Sequence, residues 1–264
     1  MRATRPDPAS ASTSASSSSP SSSSCRITVV IPALNEAERI GRAVASARAH
    51  ADADVVVVDG GSADGTKGAA RRAGARVLTS LRGRGRQMNV GAAAAGARDD
   101  GDSLLVFLHA DSSLPSGYGE TIEREMCGGR SRRDWGAFAF KMTEAADGDS
   151  WAGGMIRRAI EFGTNCRCKL FGTPYGDQGL VIRRRAFDDV GGFEELPFME
   201  DYVMVQKLRR RSAPRLFQDP VVTSGRRWDE RGLAKVTLLN QVILMGYHLG
   251  VPVERLAKWY QFNF

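Results

Sequence analysis

Apolar residues in this chain fall into short continuous runs separated by helical patterns, which predicts βαβ units and a mostly parallel sheet. Ile27 to Ala33 reads as the first strand, followed by a helix from Glu36 to Ala49 with Asn35 placed to cap it. Asp54 to Asp59, Ala75 to Thr79 and Ser103 to Leu108 give three more strands, with an alanine-rich helix from Arg86 to Arg98. Between Asp59 and that third strand, Gly60 to Thr66 forms a flexible turn in which Ser62 or Asp64 is available to cap the next helix. Trp135 to Met142 alternates like a strand of a mixed sheet, Trp151 to Cys168 reads as helix then loop, Gly179 to Arg183 as a short strand and Asp201 to Arg211 as a helix. The expected class is α/β, a Rossmann-like mixed sheet flanked by helices.

Acids stand directly behind these runs: Asp59 after Val55 to Val58, Asp111 after Leu104 to Leu108, and Glu200-Asp201 after Leu196 to Met199. Ligands of open α/β sheets collect at the carboxyl ends of the strands, so these carboxylates should converge on one crevice. A carboxylate at a strand end, in a site that also attracts phosphate, suits Mg²⁺ or Mn²⁺ on a diphosphate, and Asp111 fits that role. Asp201, heading a helix, fits a general base, with Glu200 as its neighbour. Asp59 lies where the glycine-rich turn would meet a base or ribose.

Composition narrows the reading. The 264 residues, 42% hydrophobic and 25% charged, suffice for one catalytic domain over 26–264. Residues 1–25, dominated by Ser, Ala, Thr and Pro, read as a disordered tail or an organelle transit peptide. The formal charge of +7 favours anionic partners, but the arginine clusters lack interleaved aromatics, which argues against nucleic acid. Cys25, Cys127, Cys166 and Cys168 show neither a disulfide framework nor paired zinc spacing, so a reducing, intracellular location, cytoplasmic or organellar, is expected. Val236 to Val253 is interrupted by polar residues and glycines and falls short of a membrane span. Apolar residues of this C-terminal stretch, Leu233, Val236, Leu239, Ile243 and Met245, are placed to cover the crevice, while Lys235, Lys258 and Trp259 offer a peripheral membrane contact.

Taken together, Pro32-Ala33-Leu34-Asn35-Glu36, Val58 to Thr66, His109-Ala110-Asp111 and Glu200-Asp201 resemble the ordered motifs of family 2 glycosyltransferases, which adopt the GT-A fold. Gly83 to Ala92 and Gly176-Asp177-Gln178-Gly179 are similar to a small bacterial-type branch of that family. The resemblance implies that Pro32, Glu36, Asp59, Arg84, Arg86, Asn89 and Asp177 bind the donor, with Arg226, Arg227 and Trp228 meeting the leaving diphosphate and the acceptor. It implies that Asp111 holds a divalent metal and that Asp201 is the catalytic base of a hexosyl or related transferase. The expected partners are a nucleotide-diphospho-sugar donor and a hydroxyl acceptor, a lipid or a small molecule.

Three departures stand out. His109 replaces the first acid of the metal-binding DxD element, Leu34 an aromatic residue, and Gly60 the second acid of an Asp-Asp pair. Such losses are what a non-catalytic nucleotide-sugar binding protein on the same scaffold would carry, whereas Asp59, Asp111 and Asp201 favour an enzyme. A sugar-1-phosphate nucleotidyltransferase would need a glycine- and arginine-rich loop where Pro32 to Glu36 stands.

Overall fold

The computed structural model describes residues 25–96, 103–128, 133–143 and 151–263. The amino-terminal segment read as a tail or transit peptide lies, apart from Cys25, outside the described residues. In chain order the first half forms β1 (Arg26–Ala33), α1 (Ile40–Ala47), β2 (Asp54–Asp59), α2 (Thr66–Arg72), β3 (Arg76–Thr79), α3 (Arg84–Ala94) and β4 (Ser103–Phe107). Then follow β5 (Ser112–Ser113), α4 (Tyr118–Ile122), β6 (Trp135–Met142), α5 (Trp151–Phe171), β7 (Leu180–Arg183), α6 (Arg184–Asp189) and α7 (Glu200–Arg209). The chain closes with β8 (Arg215–Thr223), α8 (Arg226–Arg231), α9 (Leu233–His248) and α10 (Val253–Asn263).

The strands make one mixed sheet in the order β3-β2-β1-β4-β7-β6-β8-β5. β1 to β4 run parallel, with Val29 opposite Val55 and Val30 opposite Phe107. β7 joins antiparallel to β4, β6 antiparallel to β7, β8 parallel to β6, and β5 antiparallel to β8.

Burial follows the alternation of side chains across each strand. Val29, Ile31, Val57 and Val106 pack with Ile40 and Val44 of α1 and with Tyr118 and Ile122 of α4, on one face. Val30, Val58, Leu105 and Phe107 pack on the other face with Met88 and Ala92 of α3 and Met204 and Leu208 of α7. Both faces of the parallel half are therefore covered, which is why its strands read as unbroken apolar runs. α3 lies so close to β1 that a Cβ at Gly91 would overlap Val30, so this glycine of the Gly83 to Ala92 motif is needed for packing.

Three expectations need correction. α1 begins at Ile40, not Glu36, and Asn35 does not cap it: Asn35 sits at φ 55° and spends its polar groups on the neighbouring loop. α5 continues past Cys168 to Phe171, where Gly172 at φ 61° ends it. Arg157 and Cys168 are buried along its length. Finally, Cys25 and Cys127 form a disulfide, with Cα atoms 6.5 Å apart. The sheet brings together two cysteines separated by 102 positions, a pairing their spacing could not reveal.

Candidate active site

At the carboxyl ends of β1 and β2 the two amino-terminal motifs clamp each other through side-chain to backbone hydrogen bonds. The Asn35 amide donates to Ser62 Oγ at 2.9 Å, and the Ala63 amide donates to Asn35 Oδ1 at 2.9 Å. Ala37 and Thr66 amides donate to Asp64 at 3.1 and 3.0 Å, and the Glu36 amide donates to Thr66 Oγ1 at 2.8 Å. The Thr66 hydroxyl beside Asp64 holds that carboxyl below its ordinary range. Asp59, fully buried, accepts the Gly61 and Ser62 amides on Oδ1, each at 3.0 Å, while its Oδ2 is buried without a partner. Gln87, also buried, donates through Nε2 to the carbonyls of Ala33 (2.9 Å) and Val58 (2.8 Å) and so staples β1 to β2. A Cβ at Gly60 would come within 3.0 Å of that amide, a physical reason why no second acid follows Asp59.

A cavity of about 240 Å³ opens beside this clamp. Asp111 enters it from the turn after β4, which is tied to the end of β8 by a 2.8 Å hydrogen bond between the Ser112 and Thr223 hydroxyls. Asp201 enters from the first turn of α7, where Met199 holds a left-handed φ of 64°. Left-handed backbone at a non-glycine residue is costly and concentrates at functional sites. The Gly176 amide donates to Asp201 Oδ2 at 2.9 Å, and a Cβ at Gly176 would stand 2.8 Å from that oxygen and 3.1 Å from His109 Nε2. Glycine at 176 is thus what lets the turn carrying Asp177 reach Asp201. Arg84, at the start of α3, lines the same cavity and is ion-paired with Glu200, which is only 1% exposed.

The carboxylates are not equivalent. Burial works to raise Asp201, but Arg84, the Gly176 amide, His109 and the Tyr202 amide outweigh it, so its carboxyl sits below the ordinary range. Asp177 is pushed up to about 6, chiefly by burial and then by Asp201, with Arg167 opposing. Its Oδ1 is buried and lacks a partner.

Of the residues singled out in the sequence, the cavity brings together Arg84, Asp111, Asp177, Asp201, Arg226 and Trp228. The others lie around it. Pro32 is buried in β1, and Glu36 lies at the clamp, 4.0 Å from Arg226. Glu200 is committed to Arg84, Arg86 to Glu195, and Asn89 to both backbone groups of Phe193. The Arg227 side chain lies outside the described residues. α8, which carries Arg226 and Trp228, is fastened by a 2.7 Å ion pair between buried Arg157 and Asp229.

Sequence reading missed Arg167 and Tyr175, which also line the cavity, the guanidinium lying 3.5 Å from the centre of the Tyr175 ring. Arg167 stands between Cys166 and Cys168, whose spacing points to no site, and Tyr175 immediately precedes the Gly176 to Gly179 motif. Of the apolar C-terminal residues expected over the crevice, Ile243 lines it, Val236 and Leu239 are buried, and Met245 is exposed. Polar Thr237, Asn240 and Gln241 of α9 face it as well.

Sheet order and flanking helices together define an α/β architecture of the GT-A type. The family model described as glycosyl transferase family 2 matches residues 28–136. No curated protein matches the sequence significantly. Among solved structures, the chain is similar to glucosyl-3-phosphoglycerate synthase from Mycobacterium tuberculosis in complex with Mn²⁺, UDP-glucose and phosphoglyceric acid. That match has a TM-score of 0.55 at 19% identity, covering 86% of this chain and 81% of that one. It is also similar to the mannosyltransferase PcManGT from Pyrobaculum calidifontis in complex with GDP-mannose and Mn²⁺, with TM-score 0.53 and 20% identity, covering 76% and 56%. TarS 1–349 from S. aureus gives TM-score 0.52 at 18% identity, covering 76% of this chain. The chain spans 60% of that TarS fragment's length, less than two thirds.

The residues present fit a divalent cation of one kind. Among the described residues no three His, Cys, Asp or Glu side chains converge as a ready-made metal nest. A magnesium-like ion held by one or two carboxylates, the substrate's phosphates and water needs no such nest. Asp111 on the cavity wall supplies the one carboxylate that such an ion requires.

Proposed function

We propose that this chain is an inverting glycosyltransferase that moves a sugar, a hexose or a close relative, from a nucleotide-diphospho-sugar to a hydroxyl acceptor. The observation that carries this reading is the joining of Asp111, Arg84, Asp201, Arg226 and Trp228 around one cavity beside the clamp that holds Asp59. Neighbours of the same fold hold UDP-glucose or GDP-mannose with Mn²⁺, which supports the same donor class here.

In this mechanism the unpartnered Oδ2 of Asp59 accepts a hydrogen bond from the nucleoside, and Arg84 and Arg226 face the diphosphate. Arginine suits that task because its fixed fork of donors matches phosphate oxygens. Asp111 would hold a divalent metal, which would supply positive charge to the diphosphate when bound. Asp201 takes the proton of the attacking hydroxyl as the bond to the anomeric carbon forms, and the nucleoside diphosphate leaves from the opposite face. Two backbone amides aim the Asp201 carboxylate without consuming all of its lone pairs. A second reading gives the proton to Asp177, favoured by its unpartnered oxygen and its raised pKa of about 6.

Thermal stabilisation by UDP, GDP, ADP and CMP, with and without Mn²⁺, tests the donor site. A ligand at 100 times its dissociation constant adds about 2.7 kcal/mol of stability. A metal-dependent shift with one nucleotide, lost in Asp111→Asn, is the expected result. No shift with any of them would leave a scaffold without donor chemistry.

A further inference from the structure

Arg167 is the cationic group of the cavity that the donor mechanism leaves unused. It projects from α5, a different element from those that carry Arg84 and Arg226. Its guanidinium is pinned against the Tyr175 ring, and its described hydrogen bond is a long one, 3.9 Å, to Cys168 Sγ. Nε of Arg167 is buried with no partner, and the same holds for the indole Nε1 of Trp228 and for Oδ1 of Asp177. All three residues line the one cavity. A buried donor or acceptor left unmade costs stability, so three orphans around one space mark a place where a polar ligand completes the bonding.

The orphans also state the chemistry of that ligand. Two are donors, one of them permanently charged, and they ask for an oxyanion. The third, a carboxylate oxygen, asks for a hydroxyl. Tyr175, Gly176 and Asp177 are consecutive, and Gly176 holds Asp201, so the hydroxyl side of the ligand falls where the transfer mechanism needs it.

We infer that Arg167 and the Trp228 indole form an oxyanion subsite for the acceptor, so that the molecule glycosylated carries a phosphate or carboxylate together with its hydroxyl. This rests on the transfer reading and names its acceptor class. The ring of Tyr175 fixes the guanidinium in place before the ligand arrives, which lowers the ordering cost of binding.

Equilibrium titration of the metal-free full chain with inorganic phosphate tests it. Arg167→Gln should weaken phosphate binding about tenfold or more, the scale of charge-assisted hydrogen bonds. Trp228→Phe, which keeps a ring and removes the N–H, should weaken it by a few fold. Arg226→Gln, on the donor side, should weaken it less than Arg167→Gln. Wild-type affinity in folded Arg167→Gln, or a larger loss in Arg226→Gln, would overturn the subsite. Should Arg167→Gln fail to fold, Trp228→Phe carries the test, and unchanged phosphate affinity there overturns it.

A parallel arm separates soluble from lipid acceptors by flotation on phosphatidylcholine vesicles with and without phosphatidic acid. Capture by phosphatidic acid that Arg167→Gln abolishes assigns the subsite to a lipid phosphate, and phosphate binding without capture assigns it to a soluble anion. Nucleoside diphosphate titrated alongside keeps the two readings apart. Absent nucleotide binding sinks the transfer mechanism, while the phosphate result still reports on Arg167.

Discussion

The two sides of the crevice differ in how completely they satisfy themselves. Around the ends of β1 and β2, Asn35, Ser62, Asp64, Thr66 and Gln87 answer one another's donors and acceptors across about thirty residues of sequence. There the orphan is Asp59 Oδ2. Across the cavity, between α5, the Tyr175 to Gln178 turn and α8, three polar atoms are buried without partners and one carboxylate is held at a raised pKa. A self-satisfied loop pair is a rigid frame, and a cluster of orphans is a frame waiting for a ligand. The comparison teaches that one side of the crevice is fixed by side-chain to backbone bonds across the clamp, and the other leaves buried side-chain atoms open to a ligand.

The sharpest way to break the contrast is to unfasten α8. Asp229→Ala would remove the Asp229 carboxylate from the buried Arg157 guanidinium, and breaking such a pair costs about 3 kcal/mol or more. Urea unfolding should show it, and a cost under about 1 kcal/mol would mean that α8 is held by other contacts. Next in size is Asp201→Asn. Single-turnover transfer should slow by about 10² or more with donor affinity retained, the usual scale for loss of a general base. Wild-type turnover would remove Asp201 from that role and move it to Asp177.

Asp177→Asn sharpens the comparison from the stability side. Wild-type Asp177 has a folded pKa of about 6, above the unfolded value of 3.8. Below the unfolded value both states hold the proton and the group costs nothing. Between the two values the unfolded chain ionises first, so its burden on the native state grows and is complete above about pH 6. The variant should therefore be more stable than wild type at neutral pH by roughly 3 kcal/mol, and equal to it in acid below the unfolded pKa. Thermal melts at the two pH values check this, and equal melting temperatures at neutral pH would contradict it. A gain in stability with a loss of transfer would identify Asp177 as a functional group held at a cost.

The smallest effect belongs to the satisfied side. Ser62→Ala removes the acceptor of the Asn35 amide, in an exposed stretch of the loop, and should cost about 1 kcal/mol. Amide hydrogen exchange at Asn35 should rise with it, and unaltered exchange would show that the clamp does not depend on that bond.

Much of this was legible in the chain. Apolar runs fixed the strands because a strand buried on both faces has no polar alternation to blur its limits, and β2 and β6 fall at the expected residues. Asp111 and Asp201 could be placed on one crevice because strand ends and helix starts meet at the same edge of the sheet. Other features were not legible because they depend on pairs distant in sequence. Asn35 has the composition of a helix cap, yet the competing loop with Ser62 claims it. Cys25 meets Cys127 only because the start of β1 lies beside the π-helical stretch Glu123–Cys127 that continues α4 in the folded molecule. Local pattern determined which segments are strands and which acids follow them. Tertiary structure decided which of those acids are satisfied, which are raised, and that Nε of Arg167 is buried without a partner in their midst, because burial and hydrogen-bond partners are set by contacts between segments that the sequence does not place side by side.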